Sequence, residues 1–157
     1  MKTYADSSFI VKLLNRESGS DEAMAEYRRR GLPRLVFLPL HALEVDNAVH
    51  HRAFHELRTP PSGQRSRVQR ERLAALSRLS LLLRRGQFVE IDADCEDAFR
   101  HARVLSQKYT ATHGTRSLDL LHVAFALQLK CDLFLTRDQN QSRVAKAEGF
   151  AVAGPFD

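Results

Sequence analysis

Four carboxylates stand where their surroundings invite chemistry: Asp6, Glu44, Asp119 and Asp138. Singly, each has a plain explanation. Asp6 and Asp138 each follow a short apolar run and precede a helix-like segment, the position of an N-cap that satisfies first-turn amides. Glu44, among Ala42, Leu43, Val45, Ala48 and Val49, fits the polar edge of a half-exposed helix. Asp119 is harder to dismiss, because in SLDLLHVAFAL the apolar residues nearly encircle the helix and mark a buried element. A carboxylate buried there must be paired, neutralised or metal-bound. Arg116, one turn earlier, is the cation available for simple pairing. If several acids converge instead, they raise one another's pKa and oppose folding until a cation neutralises them. An all-oxygen set without His or Cys favours Mg2+ or Mn2+ over Zn2+. Such an ion activates water against a phosphodiester and stabilises the departing oxygen, so phosphodiester hydrolysis is the implied reaction.

The elements that must position these acids can be read along the chain. Lys2–Ala5 forms a short strand that stops at Asp6, and Ser7 or Ser8 caps a helix carrying Ile10, Val11, Leu13 and Leu14. A second helix starts at Ser20, with Asp21 and Glu22 in its first turn, and ends in Arg28, Arg29 and Arg30 before Gly31. Leu35–Leu38 is a buried strand, and Pro39 opens a long helix that stops before a loop at Thr59–Gly63. Gln64–Arg85 is an amphipathic, Arg-rich helix closed by Gly86. Phe88–Ile91 returns as a strand, and Asp92 or Asp94 caps a helix to about Tyr109. A polar loop, TATHGT, then precedes the apolar helix RSLDLLHVAFALQLK, and Leu133–Thr136 is the fourth strand. A last helix closes at Gly149, and Phe150–Val152 can form a short fifth strand. Strands alternating with helices imply a parallel sheet of four to five strands covered on both faces, with sites beyond the strands' carboxyl ends. Asp6 and Asp138 lie at that edge, and Glu44 lies early in the helix after strand two.

At 157 residues, with 43% apolar and 27% charged residues, the chain is sized for one soluble domain, and no apolar run approaches the ~20 residues that span a bilayer. The polar start, MKTYADSS, lacks a secretory signal's apolar core, so a cytoplasmic location is the expectation. Cys95 and Cys131 read as reduced thiols. The net charge of +5 is uneven: from Arg52 to Arg85 nine Arg face two Glu, a local balance of +7. A segment so basic suits a polyanion or an acidic partner, or is simply a solvated face.

The acids now carry a resemblance to a known family. YADSSFIVKLL resembles the opening of PIN domains, an Asp after strand one followed by small hydroxyl residues and an apolar helix. LHALEVDNAV is similar to the second PIN motif, with Glu44 on the helix after strand two and Ala48 four residues on. RSLDLLHVAFAL resembles the third, with Arg116, Asp119, Ala124 and Ala126 in register, and LFLTRDQNQSRVAKAEGF the fourth, a strand ending in Thr-x-Asp. The resemblance covers essentially the whole chain and is nearest in style to VapC toxins of toxin-antitoxin pairs. It implies a PIN-like three-layer sandwich, a single domain over 1–157 with an Arg-rich loop-helix segment at about 58–85, and an endoribonuclease dependent on Mg2+ or Mn2+. Asp6, Glu44, Asp119 and Asp138 would then be the metal-site carboxylates, supported by Ser7, Thr136 and Arg116. A small antitoxin as inhibitor and a homodimer are also implied.

Other features are weaker. His51 and His55 have the i, i+4 spacing of metal ligands but no accompanying motif, and read as a solvated face. His122, three residues after Asp119, is a candidate to support a ligand from behind, but reads better as a satisfied core histidine and is left out of the site. No glycine-rich phosphate loop, aromatic RNA-binding signature or G-x-S-x-G nucleophile is present. Arg65, Arg67, Arg70 and Arg72 are the candidate RNA-binding residues. The competing reading is a non-catalytic PIN-like module that holds nucleic acid on this Arg-rich face.

Overall fold

The computed structural model describes residues 1–58 and 64–154. Along the chain run β1 (Thr3–Ala5), α1 (Ser7–Leu14), α2 (Ser20–Arg29), β2 (Leu35–Phe37), α3 (Pro39–Arg58), α4 (Gln64–Arg84), β3 (Phe88–Glu90), α5 (Cys95–His113), α6 (Ser117–Gln128), β4 (Leu133–Leu135), α7 (Gln139–Ala147) and β5 (Ala151–Ala153). The strands form one sheet in the order β3-β2-β1-β4-β5, and every neighbouring pair is parallel. Parallel neighbours cannot be joined by a tight turn, so every connection crosses over through helices, and these cover both faces.

The two-residue alternation of the strands divides the core. Tyr4, Val36 and Phe134 face one side, where they pack with Leu105 of α5, Phe125 of α6 and Val144 of α7. Ala5, Leu35, Phe37, Leu133 and Leu135 face the other, against Phe9 of α1, Tyr27 of α2, Val49 of α3 and Leu79 of α4. The three-layer α/β sandwich expected from the sequence is present, with all five strands in the sheet.

Two local readings are corrected. The N-cap of α1 is Asp6, extended at φ −68° and ψ 164°, rather than Ser7 or Ser8, which are already helical. The segment TATHGT is not a free loop: Thr110–His113 form the last turn of α5, which stops at Gly114 because that residue adopts φ 64° and closes the helix with its N–H on the Thr110 carbonyl. Asp94 is the α5 cap. The loop expected at Thr59–Gly63 lies outside the described residues. Both cysteines are free, Cys95 exposed and Cys131 buried. No described helix is long and apolar enough to cross a membrane.

Candidate functional site

From β1 the chain builds outward through β2 and β3 on one side, then returns to add β4 and β5 on the other. Where the direction of winding reverses, neighbouring connections leave on opposite faces and open a crevice beyond the strand ends. Here that point lies between β1 and β4. Asp6 directly follows β1, and its N–H donates to the Leu135 carbonyl at 2.9 Å, so the two strands are joined right up to the crevice.

Asp6 is only 4% exposed. Its carboxylate accepts from the Phe9 N–H at 2.7 Å, the Ser8 hydroxyl at 2.8 Å and the Thr136 hydroxyl at 2.8 Å. Burial pushes its pKa up, opposed by His122 and by these hydrogen bonds. Capping and metal ligation are compatible, since an ionised carboxylate offers about four acceptor sites.

Thr136, fully buried at the end of β4, ties the neighbourhood together. Its hydroxyl lies 2.8 Å from Asp6 Oδ2 and 2.7 Å from Gln141 Oε1, and accepts from the Asp138 N–H at 2.9 Å. With one proton it serves one of the two acceptors at a time. Asp138 caps α7 by accepting from the Gln141 N–H at 2.8 Å, and Gln141 Nε2 donates to the Asp119 carbonyl at 3.0 Å. Thr136→Val keeps the shape but strips this junction, and is expected to lower unfolding free energy by about 1–3 kcal/mol. Urea unfolding measures it; an unchanged midpoint would assign the junction no structural weight.

Asp119 sits in the first turn of α6 and accepts from the Arg116 backbone N–H at 3.1 Å. It is half-buried rather than enclosed, because the sealed stretch of α6 runs from Leu120 to Ala126 while the first turn extends toward the crevice. Asp6 is thus the more deeply buried acid, the reverse of what the apolar surroundings in sequence suggest. Burial raises the Asp119 pKa, the Arg116 N–H opposes this, and the negative charge of Asp138 raises it further. The Arg116 guanidinium makes no ion pair with Asp119, although its charge joins the backbone N–H in lowering the carboxylate's pKa.

Glu44 projects from α3 toward α1 and α6. Its Oε2 accepts from the Ser7 hydroxyl at 2.8 Å and meets His122 Nε2 at 2.7 Å. Burial alone would raise the Glu44 pKa, but the His122 bond and charge, with Ser7, hold it below the usual value. The other His122 nitrogen, Nδ1, is 2.8 Å from the Tyr4 hydroxyl. Nε2 therefore faces Glu44, and Nδ1 faces the Tyr4 phenol, whose pKa burial pushes well up. His122 is buried, as expected of a core histidine, but it orients Glu44, a role the sequence reading did not give it. Its place three residues after Asp119 was the available signal. Gln141 and Tyr4 carried no signal in sequence, and Ser8 was marked only as a helix cap and a small hydroxyl residue after Asp6.

The structure thus draws Asp6, Asp119 and Asp138 to one strand edge, linked by Thr136 and Gln141, and brings Glu44 to the same end through Ser7 and His122. Among the described residues no group of three or more His, Cys, Asp or Glu side chains is arranged so that it could hold a metal ion. The donors fit a hard cation by their chemistry: all are carboxylate oxygens, Asp6 is strained by burial, and Asp119 is further strained by a like charge, both of which a divalent ion relieves.

The remaining candidates separate. His51 and His55 lie on an exposed face, their Nε2 atoms 3.0 Å apart. Arg65 is exposed, and Arg67 pairs with Glu71 at 3.1 Å. Arg70 and Arg72 line a cavity between α3 and α4 that is separate from the acids.

A search of curated proteins gives no match. Among solved structures, a similar one is VapBC2 from Rickettsia felis bound to a DNA fragment from their promoter, at 13% identity and a TM-score of 0.58, covering 98% of each chain; this likeness is one of fold. The family model for the PIN domain matches residues 3–147, nearly the whole chain. The acids at the β1–β4 crevice are therefore set in a known frame, and the chain belongs to the PIN-domain family, whose members are generally nucleases that use divalent metals.

Proposed function

We propose that this protein is an Mg2+- or Mn2+-dependent endoribonuclease and the toxin of a toxin-antitoxin pair. The observation that carries the nuclease reading is the gathering of Asp6, Asp119 and Asp138 at one strand edge, with the Asp119 pKa raised by burial and by its acidic neighbour. Asp6, Asp119 and Asp138 would hold the ion directly, with Glu44 beside them. When bound, a divalent cation lowers the pKa of water and neutralises charge building on a phosphodiester.

The chain's own groups do the rest. Thr136 and Ser8 hold the Asp6 carboxylate in one orientation, and Ser7 with His122 does the same for Glu44. Glu44, kept ionised, can accept a proton from water approaching from the α3 side. The toxin reading rests on the likeness to VapBC2 and on the motif style, and brings with it a small antitoxin partner, a homodimer and action in the cytoplasm.

The test is RNA cleavage by the purified chain with Mg2+, with Mn2+ and with EDTA. Cleavage with either ion that EDTA stops and added ion restores is the expected result. RNA left intact by the folded protein under all conditions, yet bound by it, would favour the non-catalytic nucleic-acid-binding module.

A further inference from the structure

A cavity of about 370 Å3 opens away from the acids, where the end of α1 meets α3 and α4. Its walls are strongly cationic. Arg16, Arg52, Arg70, Arg72 and Arg78 line it against only Glu56 and Glu71, a balance of +3. Two of these arginines are committed to structure. Arg52 is held by Glu17 at 2.9 Å and Glu56 at 2.8 Å, and Arg78 donates to the Leu14 carbonyl at the end of α1.

Arg16, Arg70 and Arg72 have no such partner among the described residues. More telling are two donors sealed from solvent with nothing to bond: Arg72 Nε and Asn15 Nδ2. Both residues line this cavity. A buried donor left unsatisfied costs about 1–3 kcal/mol, so two in one basic cavity describe a place prepared for an acceptor. A phosphodiester matches it: negatively charged, rich in acceptor oxygens, and suited to the fork of an arginine. The volume falls within the range of small-ligand sites and exceeds the needs of a lone anion.

Placement gives the cavity a purpose. Asp6 caps the start of α1 and Asn15 follows its end, nine residues on, or roughly 13 Å at the helical rise. Glu44 and Arg52 are separated by eight residues of α3, roughly 12 Å. The same two helices therefore carry acids at one end and the cavity at the other.

We propose that this cavity binds a backbone phosphate of a single-stranded RNA, with Arg72 and Asn15 as the directional donors and Arg16 and Arg70 as the charge, anchoring the strand one helix length from the acids. The proposal rests on the nuclease reading for its choice of RNA. It is tested on the full chain in EDTA, by fluorescence anisotropy with a short labelled single-stranded RNA and by calorimetry with inorganic phosphate.

Arg72→Lys keeps the charge and deletes the Nε donor; Asn15→Asp replaces a donor with an acceptor. Each is expected to weaken RNA binding about tenfold or more with the thermal midpoint nearly unchanged, whereas Arg103→Lys, exposed on α5 across the sheet, leaves affinity within about twofold. Unchanged affinity in both folded variants would overturn the site. Inorganic phosphate binding without RNA binding would overturn the polynucleotide assignment, as would an acidic peptide that binds here when RNA does not. Cleavage assays separate the two readings: a wild-type chain that cleaves, with both variants at unchanged KM, refutes the cavity alone. RNA bound through Arg72 and Asn15 but never cleaved with Mg2+ or Mn2+ refutes the nuclease alone.

Discussion

Asp119→Asn is expected to reduce Mg2+- or Mn2+-dependent RNA cleavage at least about 100-fold, corresponding to ~3 kcal/mol of lost transition-state stabilisation. The substitution removes one charge from the gathering at the β1–β4 crevice and little else. An asparagine at this position still offers an oxygen to the Arg116 N–H, so the first turn of α6 keeps its cap. The carboxylate it replaces is raised in pKa by burial and by the charge of Asp138, and taking that charge away relieves the repulsion. Stability should therefore hold or rise even as activity collapses, as expected where function is maintained against the fold's own preference. RNA affinity should change little, because the lost group is itself anionic. Cleavage rate, RNA anisotropy and urea unfolding measured on one preparation decide the matter. Cleavage persisting in the purified variant would remove Asp119 from the chemistry, and a large fall in stability would mark it as a structural residue.

The second large effect concerns stability against pH and turns on His41, which is fully buried behind the site. Its Nδ1 accepts the Leu38 N–H at 2.9 Å, and its Nε2 lies 2.9 Å from the Ala5 carbonyl. A backbone N–H can only donate, so Nδ1 must present its lone pair and Nε2 must carry the proton. The ring bridges the ends of β1 and β2 as a neutral imidazole with no room for a second proton. Burial, with His122 nearby, accordingly drives its pKa from 6.5 down to about 3, against a small upward pull from the Ala5 carbonyl.

Below pH 6.5 the unfolded chain takes up a proton that the native state refuses. The stabilisation is thus fully present above about pH 6.5 and is lost as pH falls toward about 3, at up to ~1.4 kcal/mol per pH unit and ~4–5 kcal/mol over the window. His41→Leu removes the titration along with both hydrogen bonds. It should be less stable at neutral pH by about 2–5 kcal/mol, with the gap to the parent narrowing as the solution is acidified. Urea unfolding from pH 7.5 to 4.5 gives both curves. A gap of constant size would show that His41 titrates alike folded and unfolded.

What the sequence revealed about this site followed from local rules. Asp6 and Asp138 were readable because a strand that stops at an acid before a helix is a pattern within one segment. The helix ends at Gly31, Gly86 and Gly149 were readable for the same reason. The relations between segments were not. That Ser7 would turn to Glu44 while Ser8 took Asp6 depends on how α1 packs on α3, and the two serines are equivalent in sequence. His122 looked like core because its neighbours on α6 are apolar, and it is buried. Its bond to Glu44 exists only because α3 and α6, 78 residues apart at the contact, meet at one strand edge. Asp119 was overrated in depth because periodicity gives the face of a helix and not how far its first turn extends beyond the sheet. The basic stretch was readable as charge, but its division into Arg52 and Arg67, held by glutamates, and Arg70 and Arg72, facing a cavity, is a tertiary fact.

The pairing of β1 with β4 has a consequence for synthesis. Asp6 is made well before its hydroxyl partner, Thr136, which lies 130 residues later, and Asp119 and Asp138 also follow it by more than a hundred residues. Contacts so distant in sequence form late, since the loop between them must close before it is rewarded. Without β4 and the residues that follow it, the crevice lacks Thr136 and Asp138. A nuclease arranged in this way cannot bring its acids together until β4 has been made and has docked beside β1.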